Sequence, residues 1–104
     1  MIVWFDMDGV LANFDGEYVR LTGCPPWYQD PNSTADQKWE RINNFPNFFR
    51  DLPWMDGARA MWNFVHFSRV GTSAILSAAS SHVRQSKYQK LEWLGREVPE
   101  TTQI

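Results

Sequence analysis

Asp6 and Asp8 stand one residue apart, directly after the apolar run of residues 2–5 and directly before Gly9. Acids at the end of a buried run have a limited set of uses. One carboxylate can attack phosphorus and form an aspartyl-phosphate. A second can protonate the leaving oxygen and later activate water. Two anions brought together this way need a cation between them, and Mg²⁺ suits carboxylate and phosphate oxygens. Gly9 would let backbone N–H groups approach a phosphate. Ser77 is a hydroxyl that could donate to a phosphate oxygen, and Lys87 or Lys90 could hold its charge. The same residue types also fit plainer roles: two aspartates make an ordinary solvated turn, a serine a polar strand end, and a lysine a wetted helix face. A calcium loop is excluded, although Glu17 falls at the twelfth position counted from Asp6. Val10 and Leu11 occupy the positions where that loop needs a polar residue and a glycine. His66, His82 and Cys24 lack metal-site spacing and read as structural.

These groups must be positioned by the elements around them. Residues 2–5 read as a short buried strand, most simply a parallel one, and residues 6–9 as the turn at its C-terminal end. Residues 11–21 read as a helix with Leu11, Phe14, Tyr18 and Leu21 on one face. Residues 23–33 hold three prolines and form a loop. Residues 34–43 read as a short helix, and 44–55 as irregular and aromatic. A helix starts at Asp56 as N-cap, with Ala58, Met61, Trp62 and Val65 on its apolar face, and Gly71 breaks it. Residues 73–77 make a second strand, 81–96 another helix, and 101–104 the start of a third strand. Strands alternating with helices imply a parallel α/β sheet. In such sheets ligands bind outside the carboxyl ends of the strands. Asp6 and Asp8 lie at one such end and Ser77 at the other, so one crevice is expected to hold them all.

Composition limits the partners. The chain of 104 residues suits a single domain. A net charge of -2 with no long basic cluster argues against a nucleic-acid polymer. No run approaches the ~18 apolar residues of a membrane span. The N-terminus lacks the basic start and long apolar stretch of a signal peptide. One cysteine, Cys24, allows no intrachain disulfide and fits a cytoplasmic setting. An aromatic share of 15% with six Trp is dense enough that these rings must fill a core or line a binding surface.

The segment Asp-Met-Asp-Gly-Val-Leu-Ala-Asn-Phe, residues 6–14, resembles the first motif of the haloacid dehalogenase superfamily. Nearly the whole chain is similar to the 5′(3′)-deoxyribonucleotidases of bacterial and phage type within it. Residues 48–58 (FFRDLPWMDGA) resemble the family's approach to the helix before its second motif. AILSAAS, residues 74–80, lies where the family carries its hydroxyl, and KLEWL, residues 90–94, matches its lysine with a tryptophan three residues on.

The resemblance implies a Rossmann-like parallel sheet in one domain, with core 1–14 and 54–104 and a small helical cap insert at 15–53. It implies a Mg²⁺-dependent phosphomonoesterase acting on deoxyribonucleoside monophosphates. Asp6 would be the nucleophile and Asp8 the acid/base, the Asp6 carboxylate and the Asp8 carbonyl would hold the metal, and Gly9, Ser77 and Lys90 would bind phosphate. Phe14, Phe48 and Phe49 would meet the base, with packing of the cap an equal reading for Phe48, Phe49, Trp27 and Trp39.

Two features depart from the family. Ala78 and Ala79 replace a hydroxyl residue and a proline. No counterpart follows Ser77 for the family's last acidic motif, since only Glu92, Glu97 and Glu100 remain; Glu17 or Asp15 would then have to complete the site. The resemblance therefore also admits a truncated, non-catalytic or assembly-dependent chain, or a phosphatase of another small ester. It leaves the first strand at an open sheet edge through which copies could associate.

Overall fold

In the computed structural model, residues 2–67 and 72–99 are described. Among them the chain forms a small mixed α/β domain. Its elements are β1 (Ile2–Asp6), α1 (Phe14–Thr22), a 3₁₀ turn (Trp27–Gln29), α2 (Ala35–Asn43), α3 (Ala58–Phe67), β2 (Thr72–Leu76) and α4 (Ser86–Glu97). The strands pair in parallel with Ile2 opposite Thr72 and Asp6 opposite Leu76. The acid turn after β1 and the Ser77 loop after β2 therefore leave the sheet side by side. The break expected at Gly71 and the strand expected at 101–104 lie outside the described residues.

Side chains alternate across a strand, which splits the sheet into two unlike faces. Phe5 and Ile75 are buried, and the Phe5 ring meets Trp62 of α3 at 5.2 Å. On the other face Ile2, Trp4 and Leu76 are 56%, 51% and 59% exposed. The buried apolar cluster runs without a break from Phe5, Trp62 and Ile75 into Tyr18 and Ile42 of α1 and α2. The insert thus shares its core with the sheet-bearing part.

Two helix starts follow local capping chemistry, and a third follows a glycine turn. Asn13 caps α1, its side-chain oxygen accepting the Gly16 N–H at 3.0 Å. α1 therefore begins at Phe14, three residues later than the periodicity of Leu11 suggests; Leu11 instead sits fully buried in the preceding turn. Thr34 and Gln37 form a reciprocal capping box at the start of α2. α3 begins at Ala58 rather than at a cap on Asp56. Gly57 intervenes with φ +77°, and its carbonyl accepts the first helical bond, from the Met61 N–H.

α4 begins at Ser86, five residues after the expected start at 81. Ser86 Oγ accepts the Ser80 N–H and donates to the Ser80 carbonyl, both at 2.9 Å, and Ser80 Oγ accepts the His82 N–H at 3.2 Å. These side-chain bonds take up backbone groups of Ser80 and His82 outside a helix. No described helix is long and apolar enough to cross a membrane.

Candidate functional site

The turn after β1 is pinned from inside. Met7 is fully buried between the exposed Asp6 and the half-buried Asp8. Its carbonyl accepts two N–H groups, from Leu11 at 3.0 Å and Ala12 at 2.8 Å. This anchor accounts for the one-residue spacing of the acids: the residue between them is turned into the core. Gly9 holds φ +81°, a conformation that costs an L side chain about 1–2 kcal/mol. Its N–H donates to the Ala12 carbonyl at 2.9 Å, so the glycine closes the turn with its own amide.

Lys90 of α4 reaches this turn. It is 2% exposed, and its three ammonium protons meet three acceptors: Asp8 Oδ2 at 2.7 Å, Ser77 Oγ at 3.2 Å and the Ala78 carbonyl at 2.6 Å. Asp8 and Lys90 are 82 residues apart in sequence. Lys87, the other lysine considered, is exposed. The ammonium also lies 4.9 Å from the centre of the Phe49 ring. The contact to Ser77 is the longest of the three, so Ser77 is the partner that an incoming oxyanion displaces with least loss. Next to Lys90 in sequence, Gln89 accepts the Phe49 N–H at 2.9 Å and donates to the Pro46 carbonyl at 2.8 Å. One turn of α4 therefore fixes both the strand-end acid and the aromatic segment. Three residues beyond Lys90, Trp93 is fully buried and donates to the Leu52 carbonyl at 2.7 Å.

Beside this cluster lies a hollow of about 460 Å³, within the ~300–1,000 Å³ usual for small-molecule sites. Asp8, Lys90, Phe14 and Phe49 line it from the expected set, and Asp15, Lys38, Trp39, Ser80 and His82 join them. Phe14 packs edge-on against Phe48 at 5.2 Å and tilted against Phe49 at 5.9 Å. Phe49 reaches the wall while 1% exposed. Phe48 is placed otherwise: it is 3% exposed, supports Phe14 from behind and borders a separate hollow with Glu17 and Arg20. Its neighbour Phe49 takes the wall, with the two rings edge to face at 5.3 Å. Glu17 likewise does not line this hollow and is paired with Arg20 on α1. Asp6 and Ser77 are not part of the lining, although Ser77 touches Lys90.

Of the wall residues, Lys38 carries no signal that marks it in sequence, whereas Trp39 and Asp15 stand among the alternatives named there. Lys38 sits on α2 with its ammonium 5.1 Å from the Phe14 ring centre and 4.5 Å from that of Trp39. Burial pushes the Lys38 ammonium below its ordinary value, against the opposing pull of Asp15 and Asp8. Trp39 stacks on His82 at 5.2 Å with planes 8° apart, joining the insert to the loop after β2. Asp15 accepts the Tyr28 hydroxyl at 3.1 Å, and this holds the phenol above its ordinary pKa.

The donor set fits a hard divalent cation in type. Mg²⁺ is usually held by one or two carboxylates, with phosphate and water completing the shell. Asp6 offers an exposed carboxylate at the strand end, and Asp8 Oδ1 is buried without a hydrogen-bond partner. Among the described residues no three His, Cys, Asp or Glu side chains gather at one point. The charged wall residues, Asp8 and Asp15 against Lys38 and Lys90, balance. A phosphate dianion entering such a wall needs added positive charge. No protein-family model matches this chain, and no curated protein matches it.

Proposed function

We propose that the chain is a Mg²⁺-dependent phosphomonoesterase of haloacid dehalogenase type, built on a Rossmann-like core and acting on deoxyribonucleoside monophosphates. The observation that carries this reading is the convergence on Lys90. An acid from the turn after β1 and a hydroxyl from the end of β2 meet one buried ammonium, beside a hollow walled by aromatic rings. Phosphate chemistry uses the first group of residues, and a planar base suits the second.

In this reading an Asp6 carboxylate oxygen attacks phosphorus as the bond to the ester oxygen breaks, and Asp8 delivers a proton to that leaving oxygen. Water then attacks the aspartyl-phosphate. Asp8 takes the water's proton, the bond from Asp6 to phosphorus breaks, and inorganic phosphate leaves with Asp6 regenerated. Lys90, giving up Ser77, holds a phosphoryl oxygen throughout. Mg²⁺ held by the Asp6 carboxylate and the Asp8 carbonyl would offset charge on the phosphoryl oxygens.

Turnover of a panel of nucleoside monophosphates with and without Mg²⁺ tests this. Asp6→Asn should lower it by a factor on the order of 10⁴ or more, and undiminished turnover in that variant would sink the mechanism. A second reading, binding of phosphate esters without turnover, has one observation in its favour: Asp6 is not part of the hollow's lining. Saturable binding with no release of phosphate from any ester in the panel would select it.

A further inference from the structure

Two lysines face the hollow, and they are held differently. Lys90 is buried in a full set of three hydrogen bonds at the floor. Lys38 comes from the insert, and its ammonium lies over the faces of Phe14 and Trp39. Those faces are where a planar ligand group would stack, so ligand and ammonium compete for the same surface. A compact cation on a flexible four-carbon stem can move without disturbing its helix. The cost of moving it depends on where it goes. Turned toward a neutral ligand it gains nothing, whereas turned toward an anion it gains a charge-assisted hydrogen bond.

We propose that Lys38 is a second residue, beside Lys90, by which this hollow favours a negatively charged planar ligand over its neutral counterpart, its ammonium leaving the rings of Phe14 and Trp39 for the ligand's negative charge. The wall charges support this. Asp8 and Asp15 balance Lys38 and Lys90 in the wall, so a phosphorylated ligand gains from any wall cation that turns toward it. Partial burial already disfavours the Lys38 ammonium where it stands, and a bound anion relieves that. The proposal rests on the phosphate-ester reading and adds to it a specificity residue outside the strand-end cluster.

The test is calorimetric titration of the full chain with thymidine 5′-monophosphate and with thymidine, divalent metal chelated so that the ester is not consumed. Lys38→Met should weaken the monophosphate about tenfold or more, the scale of a lost hydrogen bond to a charged group. It should leave thymidine unchanged or tighter. Lys38→Arg should keep most of the preference, and circular dichroism of both variants should match the unaltered chain. Equal losses for the two ligands, or a preference for the monophosphate undiminished in Lys38→Met, would overturn the role of Lys38 and leave the phosphate-ester reading intact. An unaltered chain that binds neither thymidine nor its monophosphate, in chelator and again with Mg²⁺ restored, would overturn both.

Discussion

Replacing Lys90 with Met tests whether one side chain ties the two strand ends together. Met keeps the length and the apolar stem, so packing is largely retained and the ammonium alone is lost. The lost contacts are one ion pair at 2.7 Å and hydrogen bonds to Ser77 and the Ala78 carbonyl. Breaking a fully buried pair from one side costs ~3–5 kcal/mol. The Asp8 side chain, however, is 31% exposed against 3% for Lys90. Water therefore reaches part of the stranded carboxylate, and the charge term shrinks toward surface values. The net expectation is a loss of about 2–3 kcal/mol. For a domain of this size that lowers the melting temperature by roughly 10 °C or more.

Denaturant unfolding followed by tryptophan fluorescence, with thermal melts beside it, would measure the loss. Lys87→Met, on the exposed side of the same helix, should stay within about 0.5 kcal/mol of the unaltered chain. A double-mutant cycle with Asp8→Asn isolates the pair. Once the lysine is gone, neutralising Asp8 should recover stability, giving a coupling of about 1–2 kcal/mol. A Lys90→Met chain as stable as the unaltered one, or strictly additive losses in the cycle, would refute the account of Lys90 as the tie.

Two further predictions concern acid stability and association. Burial works to raise the Glu97 carboxyl, but hydrogen bonds from Trp54 and Arg96, with attraction from Arg96 and Arg59, hold it below its ordinary 4.5. A depressed pKa in the folded chain means stabilisation present above about pH 4.5 and lost as pH falls through the folded value. Glu97→Gln should flatten that acid limb in pH-dependent melts, and an unchanged slope would contradict the assignment. Ile2, Trp4 and Leu76 are exposed on one face of the parallel sheet among the described residues, where such sheets are normally covered on both sides. The chain should therefore self-associate in sedimentation experiments and Trp4→Lys should reduce it; a monomer at every concentration would show that this face stands alone.

Sequence by itself determined what depends on near neighbours. The apolar run ending in acids defined β1 and its turn but not the burial expected of it, since Ile2 and Trp4 are exposed and only Phe5 is buried. Alternating strand and helix signals implied parallel pairing, which set the carboxyl ends of β1 and β2 side by side. The helix of residues 34–43 was legible from its own residues, because a capping box closes within four residues. Local rules failed where another local bond was stronger. The Ser80 and Ser86 hydroxyls delayed α4, and the positive φ of Gly57 displaced the start of α3 from Asp56.

Only tertiary structure decided which side chains meet. Lys87 and Lys90 are three residues apart on one helix and so lie near one face; nothing in their spacing says which is buried on Asp8 and which is wet. Phe48 and Phe49 are adjacent and chemically identical, and the fold alone sends one to the wall of the hollow and the other behind it. Lys38 resembles any lysine on an amphipathic helix until α2 is laid against Phe14. The stack of Trp39 on His82 joins two segments that no local rule connects. A contact between distant residues depends on the path of the whole chain between them, and spacing along the sequence carries that only where a regular element fixes the geometry.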